Sequence, residues 1–171
     1  LGDYYLYLII RGLELRSVPR DEYGEIRNYC AHLAWCLYHS KDKHLSEPEF
    51  LEFHKSFINK HSLSLEHEPR KRLLLEARLL EKHDGGYRFS YGYIYFFFLG
   101  QYLSEHIEQQ DVQEVIRLCC KNLHISENGN VILFLAHHSR DKRVYESVLA
   151  VMQAQFAGHA PLMLETDVDI V

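Results

Sequence analysis

The chain has 171 residues, 47% of them hydrophobic and 25% charged, with a formal net charge of −5. That length suits one domain or two small helical ones, and such a chain buries enough surface to need neither disulfide nor metal for its core. The hydrophobic share excludes intrinsic disorder, and a pI near 6.2 argues against a dedicated nucleic-acid binder. No run of about 18 apolar residues occurs. The nearest approach, Tyr91 to Leu103, is densely aromatic and suits a buried helix, so no membrane partner is expected. The start at Leu1 and the end at Asp-Ile-Val read as a piece of a longer polypeptide.

Residues 4–16 form a mainly apolar helix that Pro19 ends. A second helix follows from Asp21, with Ile26, Tyr29, Cys30, Leu33, Ala34 and Leu37 at helical spacing. The polar stretch His39–His44 breaks it. Ser46-Glu47-Pro48-Glu49 is a capping box with an early proline, opening a helix that carries Phe50, Phe53, Phe57 and Ile58 and ends near His61. The next helix is expected over Glu68–Lys82, with Leu73, Leu74, Ala77 and Leu80 inward. Asp84-Gly85-Gly86 is a tight reversal, followed by an extended Tyr87-Arg88-Phe89. A long aromatic helix is expected over Phe89–Ile107. Three shorter helices follow. The first, Asp111–Leu123, carries Val112, Val115, Ile116, Leu118 and Cys119. The second, Glu127–Ser139, carries Val131, Ile132, Phe134 and Leu135. The third, Asp141–Phe156, carries Val144, Tyr145, Val148, Leu149 and Met152. Asp141 is placed as the cap of the third, after the run His137-His138-Ser139-Arg140. Gly158–Val171, acidic at Glu165, Asp167 and Asp169, reads as a linker.

Cys30, Cys36, Cys119 and Cys120 form no CxxC pair, so they read as reduced, mostly buried thiols of an intracellular protein. The twelve histidines are scattered, and no metal site is expected. Neither a P-loop, a G-x-S-x-G elbow nor an H-E-x-x-H helix occurs, so no catalytic residue is assigned and the segment is expected not to be an enzyme on its own.

Three helices, a glycine turn, an extended segment and another helix make the order of a winged-helix unit with a short β wing. The expected fold is therefore mainly α, a winged-helix-like unit followed by a small α-helical array. Arg70, Lys71, Arg72 and Lys82 raise nucleic-acid binding as one use of such a unit. The interleaved Glu66, Glu68, Glu76 and Glu81 weigh against it.

Tyr87-Arg88-Phe89-Ser90-Tyr91, followed by Ile94-Tyr95-Phe96-Phe97-Phe98-Leu99-Gly100-Gln101-Tyr102-Leu103, resembles the end of the winged-helix domain of STAND NTPases, the NACHT and NB-ARC type signalling ATPases. Leu73 to Glu81 matches the leucine-rich helix that precedes it there. The resemblance implies four parts. Residues 1–20 are a helix leading in from an upstream NTPase domain, 21–107 the winged-helix domain, 108–157 a helical domain, and 158–171 an acidic linker. It further implies a cytoplasmic switch that helps hold ADP at rest and exchanges it for ATP, with magnesium, in the upstream nucleotide-binding domain. It also implies homo-oligomerisation and activation of an effector, in bacteria often for antiphage defence. No cofactor is expected within the segment itself, and the trigger is not specified. The family histidine that reaches the nucleotide phosphate falls on Tyr91, and the acidic residue of the following helix on Phe96. Tyr91 and Arg88 are thus the candidate nucleotide contacts; a tyrosine hydroxyl donates a hydrogen bond to phosphate but carries no imidazolium charge. The rival readings are a helical adaptor that uses the winged helix for protein contacts, and the nucleic-acid binder.

Overall fold

The computed structural model describes residues 2–139 and 142–158. Asp141, expected to cap the last helix, and residues 159–171 of the acidic segment lie outside the described residues. Among the described residues there are eight α-helices and a small antiparallel sheet, so the chain is mainly helical with a short β wing. In order they are α1 (Gly2–Glu14), α2 (Tyr23–His39), β1 (Leu45–Ser46), α3 (Glu47–His61), α4 (His67–Glu76), β2 (Leu80–His83), β3 (Gly86–Phe89), α5 (Gly92–Glu105), α6 (Gln110–Lys121), α7 (Ser126–His138) and α8 (Lys142–Phe156). No helix among them is long and apolar enough to cross a membrane.

The expected capping box is present: the Ser46 backbone N–H donates to the Glu49 carboxylate at 2.7 Å, and Pro48 sits in the first turn of α3. The helix expected over Glu68–Lys82 is shorter. It stops at Glu76, and Leu80–His83, with Lys82, forms a strand instead. The reason is a C-terminal reversal without glycine. Arg78 takes a left-handed φ of 55°, its N–H donates to Leu75, and the Leu79 N–H reaches back to Leu74 at 3.0 Å. That is a Schellman motif, which sequence reading locates by glycine. Ser62, at φ 53°, ends α3 in the same way.

The reversal at 84–86 is a two-residue hairpin. Asp84 and Gly85 both have positive φ (46° and 79°), the type I′ geometry that matches strand twist. Strand order is β1-β3-β2, with Leu45 opposite Tyr87 and Glu81 opposite Arg88. Because Phe89 pairs with Leu80, the helix expected from Phe89 begins only at Gly92, and it ends at Glu105 rather than Ile107.

Helix α5 is the centre of the molecule. Ile94, Tyr95, Phe97, Phe98, Leu99, Tyr102 and Leu103 are all buried, and α2 and α7 make the most extensive contacts with it. A helix apolar around its whole circumference is a buried one. Its polar core residue, Gln101, is satisfied by Arg27 and Glu105. The buried cluster runs without a break from Ile9 and Leu13 on α1 to Leu135 on α7, so it spans the expected boundary near residue 107. Leu118, Tyr145 and Leu149 of the C-terminal helices are exposed, whereas Val112, Ile116, Val131 and Leu135 are buried. The side chains of Val144 and Met152 lie outside those described.

Close approach of α5 and α7 depends on Gly100. A Cβ there would stand 2.7 Å from the backbone carbon of Phe134 and 2.9 Å from the Leu135 nitrogen. Gly100→Ala is expected to lower stability by about 1–3 kcal/mol through overpacking. Gly92→Ala meets only the Phe96 ring at 3.7 Å and is expected to be tolerated. Urea unfolding of the two variants measures the difference, and equal midpoints would contradict the packing argument.

Candidate functional site

The hairpin delivers the chain to the start of α5. The Ser90 N–H donates to Leu79 at 3.0 Å, which ties the end of β3 to the end of α4. Tyr91, extended at φ −138°, is the N-cap of α5, and its carbonyl accepts from Ile94 at 3.0 Å. Its ring lies 5.5 Å from Tyr93 at 14°, and Tyr93 in turn stacks on Tyr5 of α1 at 5.0 Å. Tyr5 meets Tyr4 edge-on. The result is a ladder of tyrosines, anchored against Phe134 at its inner end and 48% exposed at Tyr91. Burial and the neighbouring phenols raise the pKa of Tyr93.

Arg88 is not part of that ladder. Its Nε donates to Glu81 across the hairpin at 2.8 Å. It lines a cleft of about 380 Å³ together with Lys43, Ser90, Gly92, Tyr95 and Glu127, and Tyr91 is not among the lining residues. Lys43 is ion-paired with Glu127 and lies 5.5 Å from the Tyr95 ring centre. Both cations of this cleft already face a carboxylate. An anion entering it must displace one of them, so the α5 N-terminus itself offers the free donor groups.

The four basic residues weighed for nucleic acid divide. Arg70 is 6% exposed and bound to Glu25, with its guanidinium 5.8 Å from the Tyr29 ring. Lys71 is 9% exposed and donates to Glu47 and Glu68, and the Tyr87 hydroxyl also donates to Glu47. Burial opposes the charge on Lys71, yet the two carboxylates outweigh it and its pKa is raised. Only Arg72 and Lys82 of the four are exposed. Of the four candidates for a nucleic-acid contact, Arg70 and Lys71 are thus turned into ties between α2, α3 and α4. Glu47, His67 and Glu68 bring possible metal-ligating atoms within 4.8 Å of one another. The Lys71 ammonium already donates to both carboxylates of that group.

Sequence reading scattered the histidines, but the fold gathers three. His32 of α2 has His61 of α3 at 4.9 Å and His106, just after α5, at 5.4 Å, ring centre to ring centre. Tyr102 and Phe57 meet His32 edge-on. Burial, then Lys60, His61 and His106, lower the His32 pKa to about 3. Burial also lowers His61, and it lowers His138 to about 4. His54, which is buried, sits between the Tyr29 hydroxyl at Nδ1 and the Leu65 carbonyl at Nε2, both at 3.1 Å. The carbonyl needs a donor, so Nε2 carries the proton and Nδ1 accepts from the tyrosine. The signal that sequence offers for the trio is faint. His32 and Trp35 lie one turn apart on α2, and the meeting with α3 and α5 is tertiary.

All four cysteines are free thiols, three of them buried; burial pushes Cys30 up to about 12 and Cys119 up to about 11. Neither is an activated nucleophile.

Residues 43–99 match the Novel STAND NTPase 4 family. The matched stretch takes in the whole sheet, α3, α4 and the first half of α5. The match supports a STAND NTPase-associated region over that stretch. No curated protein and no solved structure matches the chain.

The depressed histidine pKa values make stability depend on pH. In the unfolded chain these imidazoles take up a proton near 6.5, whereas His32 and His138 in the folded chain resist it until about 3 and 4. Below about pH 6.5 the unfolded state therefore binds more protons, and stability falls as pH drops through that window. Denaturant midpoints are expected to be lower at pH 5.0 than at 7.5. His32→Phe, which keeps an aromatic ring but cannot protonate, should narrow the gap; an unchanged gap would rule His32 out as a contributor.

Proposed function

We propose that this chain is the winged-helix and following helical region of a cytoplasmic STAND-type signalling NTPase, acting as an intramolecular switch and not as a catalyst. The family match over residues 43–99 supports the reading. So does the element order α2–β1–α3–α4–β2–β3, with the hairpin as the wing. The observation that carries it is Tyr91, half-exposed on a rigid aromatic ladder at the α5 N-cap, where the family places its phosphate-reaching histidine.

In this reading an upstream nucleotide-binding domain of the same protein holds ADP or ATP with magnesium and contributes the hydrolytic residues. The Tyr91 hydroxyl donates to a phosphate oxygen of ADP, and the free N–H groups and positive dipole end of α5 add to the attraction. Because Tyr91 is stacked and capped, it reaches phosphate only when the two domains are docked. Loss of docking and loss of ADP are then one event. Sensing by more distal parts of the protein would undock the region, admit ATP, and allow homo-oligomerisation and effector activation, with antiviral defence as the setting. The cleft at Arg88 is less suited to this contact, since Glu81 and Glu127 already face its cations.

In the full-length protein, Tyr91→Ala is expected to speed release of bound ADP about tenfold or more, as expected for a lost hydrogen bond to a charged acceptor. Tyr91→Phe separates the hydroxyl from the ring: fast release in both variants assigns the effect to the hydroxyl. Wild-type release in both would exclude contact between Tyr91 and the nucleotide.

A further inference from the structure

A second cavity lies away from the α5 N-terminus. It is a groove of about 730 Å³ between α2 and α3, closed at one side by Tyr102. Its walls are helix faces. α2 contributes Trp35 and His39, and α3 contributes positions 52, 53, 56, 57 and 60, a spacing of i, i+1, i+4, i+5 and i+8. The floor is aromatic. Phe57 is buried, Trp35 and Phe53 are half-buried, and Trp35 stacks flat on Tyr102 at 4.9 Å. His32, held neutral by its surroundings, adds no charge to the floor at neutral pH.

The rim is charged, and with opposite signs at its two ends. Glu52 and Lys60 are exposed, and among the described residues neither is in an ion pair. Glu47, Glu68, Arg70 and Lys71, elsewhere on α3 and α4, are by contrast all paired within the fold. Eight residues of α3 separate Glu52 from Lys60, about 12 Å along the axis or a little over two helical turns. Glu49 lies on the Glu52 side and strengthens the negative end.

We propose that this groove receives an amphipathic α-helix of a partner protein, running antiparallel to α3. Its apolar stripe covers Trp35 and Phe53. An acidic residue near its amino end faces Lys60, and a basic residue about eight positions later faces Glu52. Two arguments fix this chemistry. A groove walled by two helices with apolar positions at helical spacing matches the helix-in-groove mode of recognition. The antiparallel direction follows from charge, because a helix prefers acidic residues at its start and basic ones at its end. That order meets Lys60 and Glu52 correctly only when the incoming helix opposes α3. The carboxylates on the rim disfavour nucleic acid or a phosphorylated ligand in the same place. This inference does not rest on the nucleotide contact of Tyr91, which is at the other end of α5.

Trp35 is the single tryptophan of the chain, so its fluorescence reports directly on the groove. The probe is a synthetic alanine-based helical peptide without tryptophan, bearing leucines on one stripe, a glutamate near its amino end and a lysine eight positions later. A second peptide has the two charges exchanged. The first is expected to shift Trp35 emission saturably and to bind about tenfold more tightly than the second at low salt, with the gap closing as salt rises. The double variant Glu52→Lys with Lys60→Glu, two surface changes, should reverse the preference. No saturable change up to millimolar peptide would overturn the proposal. So would equal affinity for the two peptides, which marks a general apolar cavity, or a preference that survives the charge exchange.

Discussion

The burial of α5 on every side is the constraint on which the other elements depend. A fourteen-residue helix with a nearly continuous aromatic and aliphatic surface is insoluble alone and must be wrapped. α2 covers one flank and α7 the other, while α1 and β3 contribute further contacts. Each fully buried Phe or Leu contributes about 1.5–3 kcal/mol of apolar transfer, so Phe97, Phe98, Leu99 and Leu103 dominate the cohesion of the molecule. Gly100 makes the arrangement feasible by letting the α7 backbone come against α5. The consequence is one core shared by the sheet-bearing unit and the helices after it.

The charged groups follow from the same wrapping. α2, α3 and α4 meet around Tyr29, His54 and Phe50, and their contact is completed by ties that are charged but inward. Arg70 reaches Glu25, and Lys71 joins Glu47 and Glu68 beside the Tyr87 hydroxyl. Arg70 and Lys71 are buried while their carboxylate partners are partly exposed, so removing the carboxylates would leave a desolvated cation behind, and the ties hold the helices in a single relative position more than they add stability. What stays outside is correspondingly informative. Tyr91 at the head of α5 and the rim of the α2–α3 groove present groups that the fold does not use internally.

How much of this was legible beforehand varies by element. The capping box at Ser46 and the Asp84-Gly85 reversal were readable because their chemistry is local: a side chain within three residues, or a backbone angle that glycine favours. The end of α4 was not, because Arg78 adopts the left-handed conformation without being glycine. The strand at Leu80–His83 was hidden for a related reason: Leu80 continues the helical apolar period, and only pairing with Phe89 selects the extended form. Of the candidate site, Tyr91 and Arg88 were named from the family resemblance, and the pairing of Arg88 with Glu81 was not legible. The basic residues near 70 were visible, and their direction was not.

The sequence by itself determined the helical class, the wing turn, the buried character of most of the 91–103 segment and the likeness to a STAND NTPase region. The first three rest on period, turn chemistry and composition, which act over a few residues; the likeness rests on the aromatic motif from Tyr87 to Leu103. Only the tertiary structure decided that Arg70 and Lys71 face inward, that His32, His61 and His106 share one neighbourhood, and that Trp35, Glu52 and Lys60 border one groove. Those facts depend on how α2, α3 and α5 are rotated against each other. That rotation is set by the packing of large side chains across the interfaces, and no local pattern encodes it.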